Sequence, residues 1–140
     1  MSESNMIEGE DRINPGDMAA VKYALSVEWS DATIKSLHLQ LGAYLHKDWV
    51  GRWRTCDVRI GKHIPPPWQE VPHIMEAYIT NLPRMNAWEA HNAFEFIHPF
   101  QDLNGRTGRL IWLSKAVHEG YDFEIPFLQA YYYQTLTNCR

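Results

Sequence analysis

Cysteine is nearly absent from this chain: Cys56 and Cys139 are the only two in 140 residues. They lie far apart, and neither has a second Cys or a His at metal-ligand spacing. A disulfide framework and a zinc module are both unsupported, and two reduced thiols in a cytoplasmic protein are the expectation. Positive charge is also in deficit, with 13 Lys and Arg against 17 Asp and Glu and a formal charge of −4. A nucleic-acid surface needs a basic face, so no nucleic-acid partner is expected, although a few local cations can still serve one small anion. No apolar run approaches the roughly 18 residues of a membrane span, and no basic start followed by an apolar core marks a signal peptide. No membrane partner is expected. Repeats and low-complexity blocks are missing as well.

What is present is enough apolar residue for one core, 45% of the chain, in a length that suits a single domain. Most segments carry apolar residues at helical spacing. Residues 1–16 are polar and end in the turn Asn14-Pro15-Gly16. Asp17 then caps a helix bearing Met18, Val21, Leu25 and Trp29. Ser30 or Asp31 caps a second helix, with Ile34, Leu37, Leu41 and Leu45 on one stripe. The pattern changes at Gly51: residues 54–60, followed by Gly61-Lys62, predict a small β-hairpin, and Pro65-Pro66-Pro67 imposes extended chain. Helical spacing resumes over Val71–Ile79 and over Asn86–Ile97, the latter with Trp88, Ala90 and Phe94 inward, until Pro99. A further helix starts at Gly105 or Arg106 behind an Asn104 cap and runs to Gly120. Pro126 opens a last helix through Leu136. The fold class expected is mainly α, a helical bundle with one β-hairpin.

The informative segment is His98-Pro99-Phe100-Gln101-Asp102-Leu103-Asn104-Gly105-Arg106-Thr107-Gly108-Arg109. Arg106 and Arg109 share one face of a new helix, in or near its first turn, where the macrodipole is already positive. Two arginines there are unfavourable unless an anion is present. With the free N–H groups of a helix start they form a phosphate site. A lone carboxylate beside phosphates, Asp102, is the usual protein ligand for Mg²⁺, which takes its other oxygens from water and nucleotide. His98 has the one nearby side chain that titrates near neutrality, so it can accept a proton from an attacking hydroxyl. Each residue has a plainer reading alone: a histidine ending a helix, an Asp turn former, an Asn-Gly cap, two solvated arginines. Their joint spacing instead assembles a base, a metal carboxylate and an anion cradle, the parts needed for transfer at phosphorus.

These residues closely resemble the motif of the Fic family: His-Pro-Phe, an acidic residue two positions on, Asn-Gly-Arg, and a second Arg three residues later. Gly51-Arg52-Trp53-Arg54, Val58-Arg59-Ile60-Gly61 and Pro65-Pro66 resemble the family's hairpin flap, and Val71-Pro72 with Met75 its next helix. The resemblance implies a Fic domain over 17–140 and a protein adenylyltransferase. In it His98 is catalytic, Asp102 holds Mg²⁺, Asn104, Gly105 and Arg106 cradle the α- and β-phosphates of ATP, and Arg109 takes the γ-phosphate. Phe100 anchors the loop in the core. Arg54, Val58, Ile60 and Gly61 belong to a flap that aligns the backbone of a target protein, whose Ser, Thr or Tyr hydroxyl accepts AMP. A homo-oligomer is compatible with this reading.

Two features qualify the resemblance. Ser4, Glu8 and Gly9 match the family's inhibitory signature, in which Glu8 would occupy Arg109 and block the γ-phosphate, so residues 1–16 are read as an inhibitory segment. Leu103 stands where the family has Gly or Ala, in a loop whose backbone approaches the phosphates. Its side chain either points away or narrows the cradle. The alternative to an enzyme is therefore a Fic scaffold, disabled by Leu103, that binds a nucleotide or a protein. Tyr131, Tyr132 and Tyr133 are read as packing residues of the last helix.

Overall fold

The computed structural model describes residues 15–120, with side chains from residue 18 onward. The inhibitory segment with Ser4, Glu8 and Gly9, the final helix from Pro126, the tyrosine triplet and Cys139 lie outside the described residues. Within them are five helices and no sheet: α1 (Pro15–Ser26), α2 (Asp31–Gly42), α3 (Val71–Asn81), α4 (Ala87–Ile97) and α5 (Asn104–His118). No helix among them is long and apolar enough to cross a membrane.

The helix starts follow from capping chemistry. Ser30 Oγ accepts the Thr33 N–H at 3.1 Å while Thr33 Oγ1 accepts the Ser30 N–H at 2.8 Å, a reciprocal box that opens α2. Asn86 and Glu89 do the same for α4, at 2.8 and 2.9 Å. Helix α1 stops at Ser26, so Trp29 lies beyond it instead of on its stripe. On α4 the inward residues are Ala87, Ala90, Phe94 and Ile97. Trp88, expected inward, is 62% exposed, with its ring 5.6 Å from that of Trp112.

Helix α5 is the hub. It packs most extensively on α4 and also meets α1 and α2. Ile111 enters one apolar cluster with Ile34, Met75, Phe94 and Phe100. Leu110 and Leu113 enter another with Ala20, Ala24, Leu37 and Leu41. Much of the helix is covered by its neighbours, and Arg106 falls on the buried side while Arg109 and Lys115 stay partly exposed. Gly108 lets α4 come close, since a Cβ there would lie 2.6 Å from Glu95 Oε2. Helix α3 is tied to α4 by Tyr78, whose hydroxyl donates to the Ala90 carbonyl at 2.8 Å.

The expected hairpin contracts to its turn. Ile60 and His63 exchange two backbone hydrogen bonds of 2.9 Å around Gly61-Lys62, with Gly61 at φ 59°. That single bridge is the only β pairing among the described residues. Pro65, Pro66 and Pro67 cannot donate to a ladder, which limits how far the pairing can extend.

Candidate active site

Helix α4 ends where His98 turns left-handed, φ 51° and ψ 62°, and closes the helix by donating its N–H to the Phe94 carbonyl at 2.9 Å. The His98 Nδ1 lies 3.2 Å from the Glu95 carbonyl oxygen. A carbonyl only accepts, so Nδ1 carries the proton and Nε2 is left as the basic nitrogen. Burial holds the His98 pKa below its ordinary value; Arg54 and His63 add to this, against the Glu95 carbonyl and Asp102. The imidazole is thereby neutral and competent to take a proton.

Phe100 is fully buried, stacked on His38 with ring centroids 3.7 Å apart, and anchors the loop as expected. Asn104 is different. Its Oδ1 accepts the Phe100 N–H at 2.9 Å and its Nδ2 donates to the Phe100 carbonyl at 2.8 Å. Its side chain thus ties the loop back on itself across four residues. It is also not the cap: Leu103 stands at that position, makes no side-chain cap bond, and Asn104 is the first helical residue. The leading N–H groups of α5 therefore meet no capping side chain.

Arg106 is 3% exposed, and its Nε is buried with no hydrogen-bond partner. A guanidinium taken out of water without an acceptor is unfavourable, and a phosphate at the helix start would supply one. A Cβ on Gly105 would lie 2.7 Å from Arg109 Nη1. Arg109 thus doubles back over the first turn of α5, and Gly105 leaves it room. Asp102 is exposed, and one carboxylate oxygen accepts the Leu103 N–H at 2.8 Å. Among the described residues no group of three or more His, Cys, Asp or Glu could hold a metal. A lone Asp beside an anion cradle nevertheless suits Mg²⁺, which takes most of its oxygens from nucleotide and water.

Leu103 is left-handed, φ 64° and ψ 23°, a conformation in which Gly is the usual residue. Its side chain is 5% exposed and packs at the end of α2, where its Cδ1 leaves no room for a Cβ on Gly42.

Arg54, expected on the docking flap, lies inside instead. Its Nε donates to the His98 carbonyl at 2.6 Å, and its other nitrogens donate to Pro66 at 2.6 Å, Cys56 at 3.0 Å and Ile97 at 3.3 Å. Its own N–H donates to the Pro99 carbonyl at 2.9 Å. It binds the end of α4 to the flap and grips the peptide of His98; it is not available to a target. The turn itself stays outward: Val58 is half-buried, Gly61 exposed, and Ile60 43% exposed. His63 fixes this turn to α4, donating from Nε2 to the Phe96 carbonyl at 2.9 Å.

Sequence reasoning missed His38 and Glu95. His38 sits among Ile34, Leu37 and Leu41 on the buried stripe of α2, so the signal was a titratable residue at a core position. Glu95 lies one turn before His98; burial raises its pKa to about 7, against the pull of Arg109.

The fold and site define a helical domain with a neutral histidine at one helix end and a buried arginine at the uncapped start of the next. The family model for the Fic/DOC family matches residues 28–113, and the chain belongs to that family. It is similar to the "Protein adenylyltransferase Fic" of Drosophila melanogaster, 33% identical over 116 residues, covering 73% of this chain and 24% of that protein. The protein of the same name from Nematostella vectensis is 29% identical over 97 residues, or 63% of this chain and 23% of its own length. The chain thus spans about a quarter of the length of the curated relatives it matches. A Fic family protein from Desulfovibrio desulfuricans has a similar structure, with TM-score 0.62 and 26% identity, covering 81% of this chain and 41% of that one. A Fic-domain signaling protein from Bacteroides thetaiotaomicron, TM-score 0.60 at 20% identity over 83% of this chain and 55% of that one, shares the fold.

Proposed function

We propose that this domain transfers AMP from ATP to a Ser, Thr or Tyr hydroxyl of a target protein. The observation that carries the reading is Arg106, buried at the uncapped start of α5 with Nε lacking any acceptor. The adenylyltransferase names of its relatives support the choice of ATP and of a protein acceptor.

In this reading Arg106 and the first N–H groups of α5 hold the α- and β-phosphates, and Arg109 takes the γ-phosphate. His98 Nε2 removes the proton of the target hydroxyl as its oxygen bonds to the α-phosphorus. The bond from that phosphorus to the bridging oxygen breaks, and pyrophosphate departs. Asp102 would hold Mg²⁺, which when bound neutralises phosphate charge. The outward turn at Ile60–His63 would lie along the target backbone. Glu8, with Ser4 and Gly9 in the N-terminal segment, would restrain the enzyme by placing its carboxylate on Arg109 in place of the γ-phosphate.

The test is label from α-phosphate-labelled ATP, with Mg²⁺ and cell lysate as the source of acceptors. Label is expected on protein, more strongly with Glu8→Gly, and none with His98→Ala. No label from Glu8→Gly with any nucleotide offered overturns the transferase reading. Calorimetric ATP binding without transfer in that variant favours a nucleotide-binding scaffold instead.

A further inference from the structure

The buried histidine of α2 has both ring nitrogens engaged. His38 Nδ1 accepts the Gly51 N–H at 2.9 Å, and Nε2 lies 2.9 Å from the carbonyl oxygen of Asp102. An amide N–H only donates and a carbonyl only accepts, so the ring is neutral with its proton on Nε2. The ring also lies flat on Phe100, at an interplanar angle of 4°. One side chain therefore joins α2, the Gly51 turn and the loop between the His-Pro-Phe residues and α5.

The carbonyl it grips belongs to a peptide under strain. Leu103, the next residue, sits at φ 64°, where a Cβ is disfavoured. Rotating the Asp102–Leu103 peptide by half a turn would bring Leu103 to a comfortable negative φ. It would also swing the Asp102 carbonyl away from His38 and the Leu103 N–H away from the Asp102 carboxylate, which it now meets at 2.8 Å. We infer that His38 is a positioning residue that pins this peptide in its strained orientation, and so sets the aim of Asp102 and the start of α5. It touches no reacting atom. The inference rests on the reading of this loop as a nucleotide-phosphate site.

The two nitrogens can be separated by substitution. The Gln amide nitrogen reaches the place of Nε2, so His38→Gln keeps the donor to Asp102 and drops the acceptor for Gly51. The Asn oxygen falls near Nδ1, so His38→Asn does the reverse. Calorimetry with MgATP in the Glu8→Gly background is the first measurement, since no internal carboxylate then competes. His38→Asn is expected to weaken MgATP binding about tenfold, the usual scale for a group that orients a metal ligand. His38→Gln is expected to stay near the parent. Adding Leu103→Gly to His38→Asn should restore affinity, because Gly holds a positive φ unaided. A purely structural histidine would instead lose affinity equally with Asn and Gln, and a second cavity at residue 103 would rescue nothing; either result overturns the inference.

A crystal structure of His38→Asn reads the peptide directly, independent of nucleotide: residue 103 is expected at negative φ, and a peptide left unturned sinks the idea. If the parent binds no MgATP, the phosphate-site reading fails, and the crystal still decides whether His38 pins the peptide. Should His38→Asn not fold, His38→Phe, which keeps the ring on Phe100 and removes the donor, takes its place with the same outcomes.

Discussion

Leu103 sets two effects of similar size against each other. Its left-handed backbone costs about 1–2 kcal/mol, while truncating a buried leucine removes about 2–5 kcal/mol of packing. Packing wins. Leu103→Gly is expected to lower stability by roughly 1–3 kcal/mol in urea denaturation and to leave AMP transfer no faster, because the side chain packs on Gly42 at the end of α2. A large gain in transfer would show that Leu103 disables the site. At His98 the expectation concerns protons. Burial keeps its pKa below the ordinary 6.5, so the imidazole is neutral at pH 7 and, in its proposed role as base, would lose function only as acid protonates it. Initial rates should fall on the acid side with a midpoint below 6.5; a midpoint above that removes His98 from the role of base. Both arguments use residues whose identity was legible in the motif. The direction of the Leu103 side chain and the tautomer of His98 were not, because each is set by neighbours distant in sequence or by the turn of a helix end.

At the level of elements, the site is a junction between the end of α4 and the start of α5, and Arg54 fastens it from outside the motif. Four backbone carbonyls converge on one guanidinium, a geometry a planar fork can serve and a lysine ammonium cannot. Arg54→Lys is expected to lower stability by about 2–4 kcal/mol, since buried carbonyls lose charge-assisted bonds, and to slow transfer along with it through a misplaced His98. Unchanged stability in chemical denaturation would contradict the clamp. The Ser30 cap and the stop at Pro99 gave element boundaries away in the sequence, because such signals act over three or four residues. The flap did not follow the same logic. Its β-branched residues and Gly61-Lys62 turn were visible, but whether an arginine on it faces a target or the core depends on the proximity of residues 97–99, some 40 positions later.

At the scale of the molecule, His38 and Glu95, both buried, pull stability in opposite directions with pH. His38 is pushed down to about 4 by burial, the Asp102 carbonyl opposing; the unfolded chain takes up its proton first, so stability falls as pH drops from 6.5 towards 4. Glu95, raised to about 7, keeps its proton in the folded state while the unfolded chain releases it, so stability falls as pH rises from 4.5 to 7. Over the shared range the two slopes offset. In Glu95→Gln the carboxyl slope is gone while the histidine slopes survive, His98 and His91 adding to His38, and the variant should gain on the parent by up to roughly 3 kcal/mol as pH climbs through that range. Paired denaturation curves at acid and neutral pH measure it; a constant difference refutes a proton held by Glu95. By itself the sequence determined the mainly helical class, the family motif and the Ser30 cap, since periodicity, capping and spacing are local properties that no distant contact needs to supply. Only the tertiary structure decided that Arg54 turns inward and that His38 grips the strained peptide at Leu103. Those depend on which long-range partner fills each buried donor and acceptor, and burial penalties, not local preference, enforce that choice.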